Sequence, residues 1–419
     1  MLSRWARSTF MALSQRDFRL LFLGTTFAQM AFAMMSVVQG VVAFQLTGKN
    51  ASVGLVALGM GVAMLILSPV GGALGDRLPK RKLLLVSQST IGVLFALVGV
   101  LILTDQIAIW LLVLTTLGMG SMFAIMGPTR QAWVGDLLRG PALANGVALQ
   151  QVAMNGTRIF GPFIAGGLIA ISFIDTGGTY LAMAGLFAIV VGMMWLMPST
   201  PAAAPSGRSV AADMRAGLGY INSNPELRLL ILMFIGIVIS AFSYQTLMPG
   251  FLENELHRPA RELGYLYGVA AIGGLAITLV LAGRAGAASR SPMYVLGALL
   301  GLGLIGLALA PGMWTALAAM AAIGATSSAF QLLNNVNLMR LCAPEYYGRV
   351  MSLTMMSFGL MSIASYPIGL VADAVGERAT LMAAAVAVFV VVGAGFAASL
   401  RLGGQRAAPP AVTGAADAS

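Results

Sequence analysis

GGALGDRLPKRKLLL, residues 71–85, is the stretch from which the fold is read. It lies between two apolar runs, 52–75 and 82–104, each long enough to cross a bilayer at about 20 residues per span. Its small residues let two helices approach closely. Asp76 stands just before the next helix and meets the favourable end of its dipole. Arg77 can pair with an acid on another helix, and Asp136, at the end of a later run, is the candidate. A bias of basic residues toward the cytoplasm would explain Lys80, Arg81 and Lys82. It does not call for the glycine and aspartate spacing.

Composition agrees with membrane spans on every side of this turn. Of 419 residues, 58% are apolar and 9% charged, against about 25% charged in a soluble domain. A mean hydropathy of +0.89 leaves no water-soluble globule. The 51 glycines suit close helix packing in lipid. One cysteine, Cys342, excludes an internal disulfide and a cysteine-ligated metal, and one histidine, His257, excludes a multi-histidine site. The net charge of +10 raises the question of nucleic acid. The placement of the charges answers it.

Twelve apolar runs are expected to span: 18–46, 52–75, 82–104, 107–137, 143–171, 179–198, 227–252, 263–283, 292–310, 313–341, 346–372 and 379–400. The reading is therefore an all-α polytopic membrane protein of twelve helices in two pseudo-symmetric bundles of six. Residues 1–17 form an N-terminal cytoplasmic segment, 18–198 the first bundle, 199–226 a Pro/Ala/Ser-rich linker with a short amphipathic helix at 209–222, 227–400 the second bundle, and 401–419 a disordered tail. With the N-terminus inside, 18 of the 24 Lys and Arg are cytoplasmic. Lys49, Arg258, Arg261 and Arg378 are outside, and Arg130 and Arg158 lie within spans. Both termini are thus expected in the cytoplasm of a bacterium, with the chain in its inner membrane. The high charge needs no nucleic acid.

The halves echo one another. Pro141 opens a span that contains Pro162, and Pro344 precedes one that contains Pro367, which supports a duplicated six-span unit. A proline inside a span is expected to bend it, with Gly161 beside Pro162. Polar side chains also recur every third span. Spans 3, 6, 9 and 12 carry almost none. Spans 1, 4, 7 and 10 carry Gln29, Gln39, Arg130, Tyr244, Gln331, Asn334 and Asn335 among others. Polar groups in hydrocarbon usually face an interior cavity, although some merely bond neighbouring helices. Spans 1, 4, 7 and 10 are expected around a central cavity, with the others toward lipid.

The opening stretch resembles the cytoplasmic loop signature of the major facilitator superfamily. Gly72, Leu74, Asp76, Arg77, Lys80 and Arg81 match it, with Pro79 where the broad consensus has glycine. RIFGPFIAGG, residues 158–167, resembles the glycine–proline element of the exporter branches, with fewer upstream glycines. RDFRLLFLG (16–24), GPTRQAWVGDLL (127–138) and LANGVALQQ (143–151) resemble the subgroup of enterobactin and macrolide-type exporters. The resemblance implies a transporter with alternating access, export, proton antiport, and a conformational latch made of Gly72, Asp76, Arg77, Arg81 and Asp136.

No enzymatic constellation, metal cluster or phosphate-cradling loop is visible, so no cofactor and no catalytic residue is expected. None of the 14 acids falls clearly at mid-membrane, so proton coupling is implied by the resemblance rather than by the residues. The embedded arginine Arg158 lies about 24 Å along its span at the helical rise. It reads either as a contact for an anionic or hydrogen-bonding substrate or as a structural group bonded to its neighbours. Met119, Met122 and Met126 share a helix face with Phe123 alongside, which suits an adaptable cavity or ordinary packing. The expected function is efflux of an amphipathic small molecule, a drug or siderophore-like metabolite, by a monomer in the bilayer. Nutrient uptake or symport on the same fold is the alternative. A non-transporting membrane sensor is a remoter one.

Overall fold

The computed structural model describes residues 11–139, 141–198, 210–282, 291–343 and 346–407; some side chains within these, including those of 68–77, lie outside the description. The described residues are helical almost throughout and contain no strand. Among the described residues twelve long helices carry the chain: α1 (Arg16–Thr47), α2 (Asn50–Arg77), α3 (Lys80–Leu103), α4 (Ile109–Leu137), α5 (Pro141–Ala170), α6 (Asp175–Trp195), α7 (Pro225–Glu255), α8 (Leu263–Ala282), α9 (Ser291–Ala308), α10 (Met313–Leu341), α11 (Tyr347–Val375) and α12 (Glu377–Ala407). Ten contain a stretch long and apolar enough to cross a membrane. The chain is an integral membrane protein.

Local chemistry sets the helix ends. Asn224 caps α7 by accepting the Leu227 N–H at 3.2 Å, and Pro225 takes the first helical position, where its missing N–H costs nothing. α1 stops at Gly48, whose φ of +66° is left-handed and whose N–H bonds the Phe44 carbonyl at 2.6 Å. The linker helix is Val210–Ser223. Its Tyr220 stacks on Tyr346 at 4.1 Å and its hydroxyl accepts the Ala343 N–H at 2.9 Å, which docks the linker on the second bundle.

α3, α6, α9 and α12 show the wall positions that the polarity pattern predicts. Val86, Val93, Leu97 and Val100 on α3, and Met382, Val386 and Val390 on α12, are exposed along one face. The opposite faces are sealed by Phe95, Phe187, Leu300 and Val388. In an aqueous protein such apolar stripes would be untenable, but in a bilayer they meet lipid. The internal symmetry is visible in α4 and α10, each 29 residues long and in matching places. Pro162 lies inside α5 and Pro367 inside α11.

The halves close on one another at the end remote from the termini, hereafter the far end. There α2 meets α11 and α5 meets α8 through backbone. A Cβ on Gly54 would lie 2.3 Å from the Ser365 carbonyl oxygen, and one on Gly264 would lie 2.6 Å from the Pro162 oxygen and 2.8 Å from Gly166 Cα. The α2–α11 seam reaches Gly61, whose Cβ would meet Ser362 at 2.5 Å. That is about 16 Å down α2 at the helical rise. Among the described residues, every such glycine contact between the halves lies in this far portion. Gly127, Gly135 and Gly156, nearer the termini, have nothing within 4 Å. By these contacts the two halves are shut against each other at the far end.

Candidate functional site

The polar side chains of α1, α4, α7 and α10 divide into two groups. Most hydroxyls are satisfied by their own or a neighbouring helix, the buried Thr25 Oγ1 being an exception. Thr26 donates to the Phe22 carbonyl, Ser36 to Ala33, Thr116 to Val56 and Val113, Ser121 to Leu117, and Thr326 to Ala322. Such back-bonding is the usual fate of Ser and Thr in a helix. Amides and guanidiniums behave differently. Gln39 Oε1 is buried without a partner, and so are both amide atoms of Asn334, which is fully buried. Gln29, Gln331 and Asn335 are half-buried. Buried polar atoms normally have a hydrogen-bond partner; Gln29, Gln39, Gln331 and Asn335 are partly accessible, whereas Asn334 is enclosed in this conformation.

The two embedded arginines occupy different places. Arg158 is exposed on α5. The exposed apolar residues Val152, Phe160 and Ile164 lie on the opposite side of that helix, toward lipid. Just beyond Arg158, Gly161 presses on α1, where its Cβ would meet that of Ala33 at 2.4 Å, and Pro162 and Gly166 meet Gly264 of α8. Arg158 therefore lies directly beneath the seam, facing the space between the halves. Arg130 is half-buried. Its Nη2 donates to Met126 Sδ at 3.1 Å, a weak acceptor, and its Nε is buried with no partner. Asn334 stands at the same place in α10 as Arg130 in α4. Met119 and Met126 are buried in the first bundle's core, and Phe123 packs on Phe32 at 5.0 Å, so the methionine face is packing.

Tyr244 is buried at a break in α7, where helix Pro225–Phe242 gives way to Tyr244–Gly250 and then to the wider turns of Phe251–Glu255. Pro249 has no N–H to offer the carbonyl four residues back. That carbonyl, Gln245, accepts the Tyr267 hydroxyl at 3.0 Å instead. The break thus joins α7 to α8 near the seam. Nothing in the sequence pattern pairs Tyr267 with Gln245.

The opening stretch staples the termini end of the first bundle. Lys80 pairs with Asp136, joining α3 to α4. Arg81 donates through Nε to the Met194 carbonyl at 3.2 Å and through Nη2 to Trp195 at 2.6 Å. These are the last carbonyls of α6, where a cation is favoured. Gly72, Asp76 and Arg77 fall in the last turns of α2, and their side chains lie outside the described residues.

A second set of polar contacts was not anticipated. At the far end, the Asn50 and Ala51 N–H groups, which begin α2, donate to the Asp373 carboxylate at 2.8 and 3.0 Å. The Asn50 side chain donates to Asp373 at 3.2 Å and to Glu377 at 2.8 Å, and Asn254 donates to Glu377 at 2.6 Å. Asn50 and Glu377 are 1% and 4% exposed, so this half of the clasp is shielded from water, while Asp373 is exposed. It ties α2 of the first half to α7, α11 and α12 of the second. Arg378 holds Glu255 at 2.6 Å and the Ala308 and Ala310 carbonyls, bracing the same end. No group of three or more potential metal ligands occurs among the described residues.

Comparison with known proteins relates the chain to a family, to two relatives and to two solved structures. A family model described as "Transmembrane secretion effector" matches residues 7–412. A staphyloferrin A transporter of Staphylococcus aureus is 26% identical over 317 residues, which is 75% of this chain and 79% of that protein. An enterobactin exporter, EntS of Shigella boydii, is 27% identical over 302 residues, 69% of this chain and 70% of its own. Among solved structures, a bacterial homologue of the human lysosomal transporter Spinster superposes with a TM-score of 0.77 at 14% identity, covering 94% of this chain and 98% of the other. The nucleoside transporter NupG superposes at 0.72 and 11%, covering 91% and 98%.

Proposed function

The chain belongs to the transmembrane secretion effector family of the major facilitator superfamily, and we propose that this secondary transporter exports an amphipathic, anionic small molecule by alternating access. The observation that carries the reading is Arg158. Among the described residues it has no hydrogen-bond or ion-pair partner, and it is exposed to the space between the halves just beneath their seam. A charge at such depth is costly unless it faces water or a ligand. A substrate bearing carboxylate or catecholate groups supplies the missing partner. The names of the relatives, a staphyloferrin A transporter and an enterobactin exporter, point to the same chemistry.

On this reading both termini are cytoplasmic, as the distribution of basic residues suggests, and the described conformation is open to the cytoplasm of a bacterial inner membrane. Substrate enters between the halves, meets Arg158 together with Gln29, Gln39, Tyr244, Gln331, Asn334 and Asn335, and leaves when the far-end clasp parts. The Asp76–Arg77 turn and Asp136 latch the opposite, outward-open state. Pro162 and Pro367 give α5 and α11 the bend this exchange requires. Proton antiport is the proposed energy source, and the protein acts as a monomer.

Everted membrane vesicles test the proposal, using a panel of hydroxycarboxylate and catecholate siderophores and cationic dyes as substrates. The expected result is uptake of the anionic compounds, abolished when an ionophore collapses the pH gradient. Uptake of the cationic dyes alone would overturn the anionic assignment. Accumulation only in right-side-out vesicles would overturn export.

A further inference from the structure

A ring of polar residues lies one turn below the seam between the halves. A Cβ on Gly40 of α1 would meet Pro249 of α7 at 3.4 Å and Leu263 of α8 at 4.0 Å, and one on Gly264 of α8 would meet the Pro162 oxygen of α5 at 2.6 Å. These contacts gather four helices at one level. Four residues toward the termini end, about 6 Å along each helix, stand Ser36 below Gly40, Gln245 below Pro249, Tyr267 below Leu263 and Arg158 below Pro162. Ser36, Gln245 and Arg158 are exposed and Tyr267 is half-buried, so open space lies beside each of them. The Tyr267 hydroxyl reaches the Gln245 carbonyl at 3.0 Å, which joins two of the four directly.

That space is the passage between the halves rather than lipid. The exposed apolar stripe of α8 runs through Tyr265, Ile272 and Leu279, and Tyr267 lies about 160° round the helix from Tyr265. Arg158 lies equally far round α5 from the exposed Phe160. Gln245 is the exposed member of an otherwise buried run, 243–252, and its segment packs on α1, α2 and α11. Ser36 shares the face of α1 that carries Gly40 and so points toward α7 and α8.

The hydrogen bonds fix what each group offers. Ser36 donates its hydrogen to the Ala33 carbonyl at 2.7 Å, and Tyr267 donates its own to Gln245. Their oxygens therefore turn lone pairs, not hydrogens, toward a ligand. Arg158 turns only donors and a positive charge, and the Gln245 amide has both kinds of group. A ligand that completes the set brings an anion to Arg158 and, close to it, an O–H that donates. A bare carboxylate leaves the hydroxyl oxygens unmet. A deprotonated catecholate brings acceptors alone.

We propose that Ser36, Arg158, Gln245 and Tyr267 form the substrate head-group pocket and select an α-hydroxycarboxylate. The carboxylate pairs with Arg158, and the neighbouring hydroxyl donates to the Ser36 or Tyr267 oxygen. The proposal rests on the reading of Arg158 as an anion contact and narrows its anionic substrate to one class.

Citrate and tricarballylate, which differ only in the hydroxyl, are the probes. Each is titrated calorimetrically into the full chain in detergent. Citrate is expected to bind about five- to ten-fold more tightly, the worth of one net hydrogen bond. Ser36→Ala and Tyr267→Phe each lower citrate affinity and leave tricarballylate affinity unchanged, and the double variant erases the preference. A purely structural role would weaken both compounds alike. Ser36→Ala, a small change on a helix, keeps the test decisive where the Tyr267 variant fails to fold. Arg158→Gln abolishes binding of both compounds. Equal affinities in the unaltered chain, binding of neither compound, or a preference that survives Ser36→Ala and the double variant would overturn the inference. Tighter binding of protocatechuate, a catechol carboxylate, than of citrate would overturn it too, yet leave an exported anion intact. Export can fail in vesicles while the citrate preference stands, so the two readings are separable.

Discussion

Asn50→Ala should tip the protein toward its far-end-open state. The side chain it removes donates to Glu377 at 2.8 Å and to Asp373 at 3.2 Å. The first bond is buried at both ends, since Asn50 and Glu377 are 1% and 4% exposed. A hydrogen bond to a charged group is worth about 1.5–3 kcal/mol. Asp373 is exposed and keeps its two backbone donors, so losing the second bond costs roughly 0.5 kcal/mol or less. The total is about 2–3 kcal/mol against the closed clasp alone, because in the open state water replaces the amide. At 1.4 kcal/mol per decade that is roughly a 30- to 150-fold shift in the conformational equilibrium. Ser365 lies on the seam and is 3% exposed. With Cys342→Ser as background, a Ser365→Cys thiol should react with an impermeant maleimide added from the far-end side, which is periplasmic in the proposed orientation. Asn50→Ala should raise the rate at least ten-fold. An unchanged rate, with the protein folded, would remove the clasp from the mechanism.

Three other outcomes follow. Arg158→Gln should leave thermal stability within about 0.5 kcal/mol, as expected for an exposed residue with no partner among the described residues, while export falls at least ten-fold; a matching loss of stability would make the arginine structural. Gly264→Ala forces a methyl to within 2.6 Å of the Pro162 oxygen. It should cost about 1–3 kcal/mol of far-end closure, seen as faster labelling at Ser365→Cys, whereas Gly167→Ala, with open space around it, should not. Asp76→Asn should abolish transport at normal expression; full activity would dissociate the loop signature from the transport cycle.

Much of the architecture was legible because lipid imposes a simple rule. Residues 71–85 mark a charged turn between two spans, and the remaining spans follow from uninterrupted apolar length. The exposed stripes of α3 and α12 match the polarity period for the same reason. The site was legible in part. An arginine within a span stands out, and Arg158 does face the space between the halves. The hydroxyls did not sort themselves, because a serine bonded to its own helix and one facing a cavity look alike in sequence. The reading of residues 71–85 pairs Asp136 with Arg77, whereas Lys80, one turn on, pairs with it in the structure; the Arg77 side chain lies outside the described residues. The far-end clasp was invisible. Asn50 and Asp373 are 323 positions apart, and each reads as an ordinary loop residue. Only packing of the two halves makes them partners.

The glycine seam bears on how fast the halves can part. Gly54 on the Ser365 carbonyl and Gly264 on Pro162 and Gly166 are backbone surfaces laid against each other, with few side chains meshed between them. Interlocked side chains would have to leave one another's grooves and change rotamer before the helices could separate. Two smooth ridges have no such teeth. They give up dispersion contacts gradually as they slide apart and regain them without searching for a register. The polar clasp then supplies most of the distinct step between shut and open, and it breaks as a unit of a few hydrogen bonds. A transporter built this way keeps a tight seal while its barrier to opening is concentrated at one small, chemically tunable point.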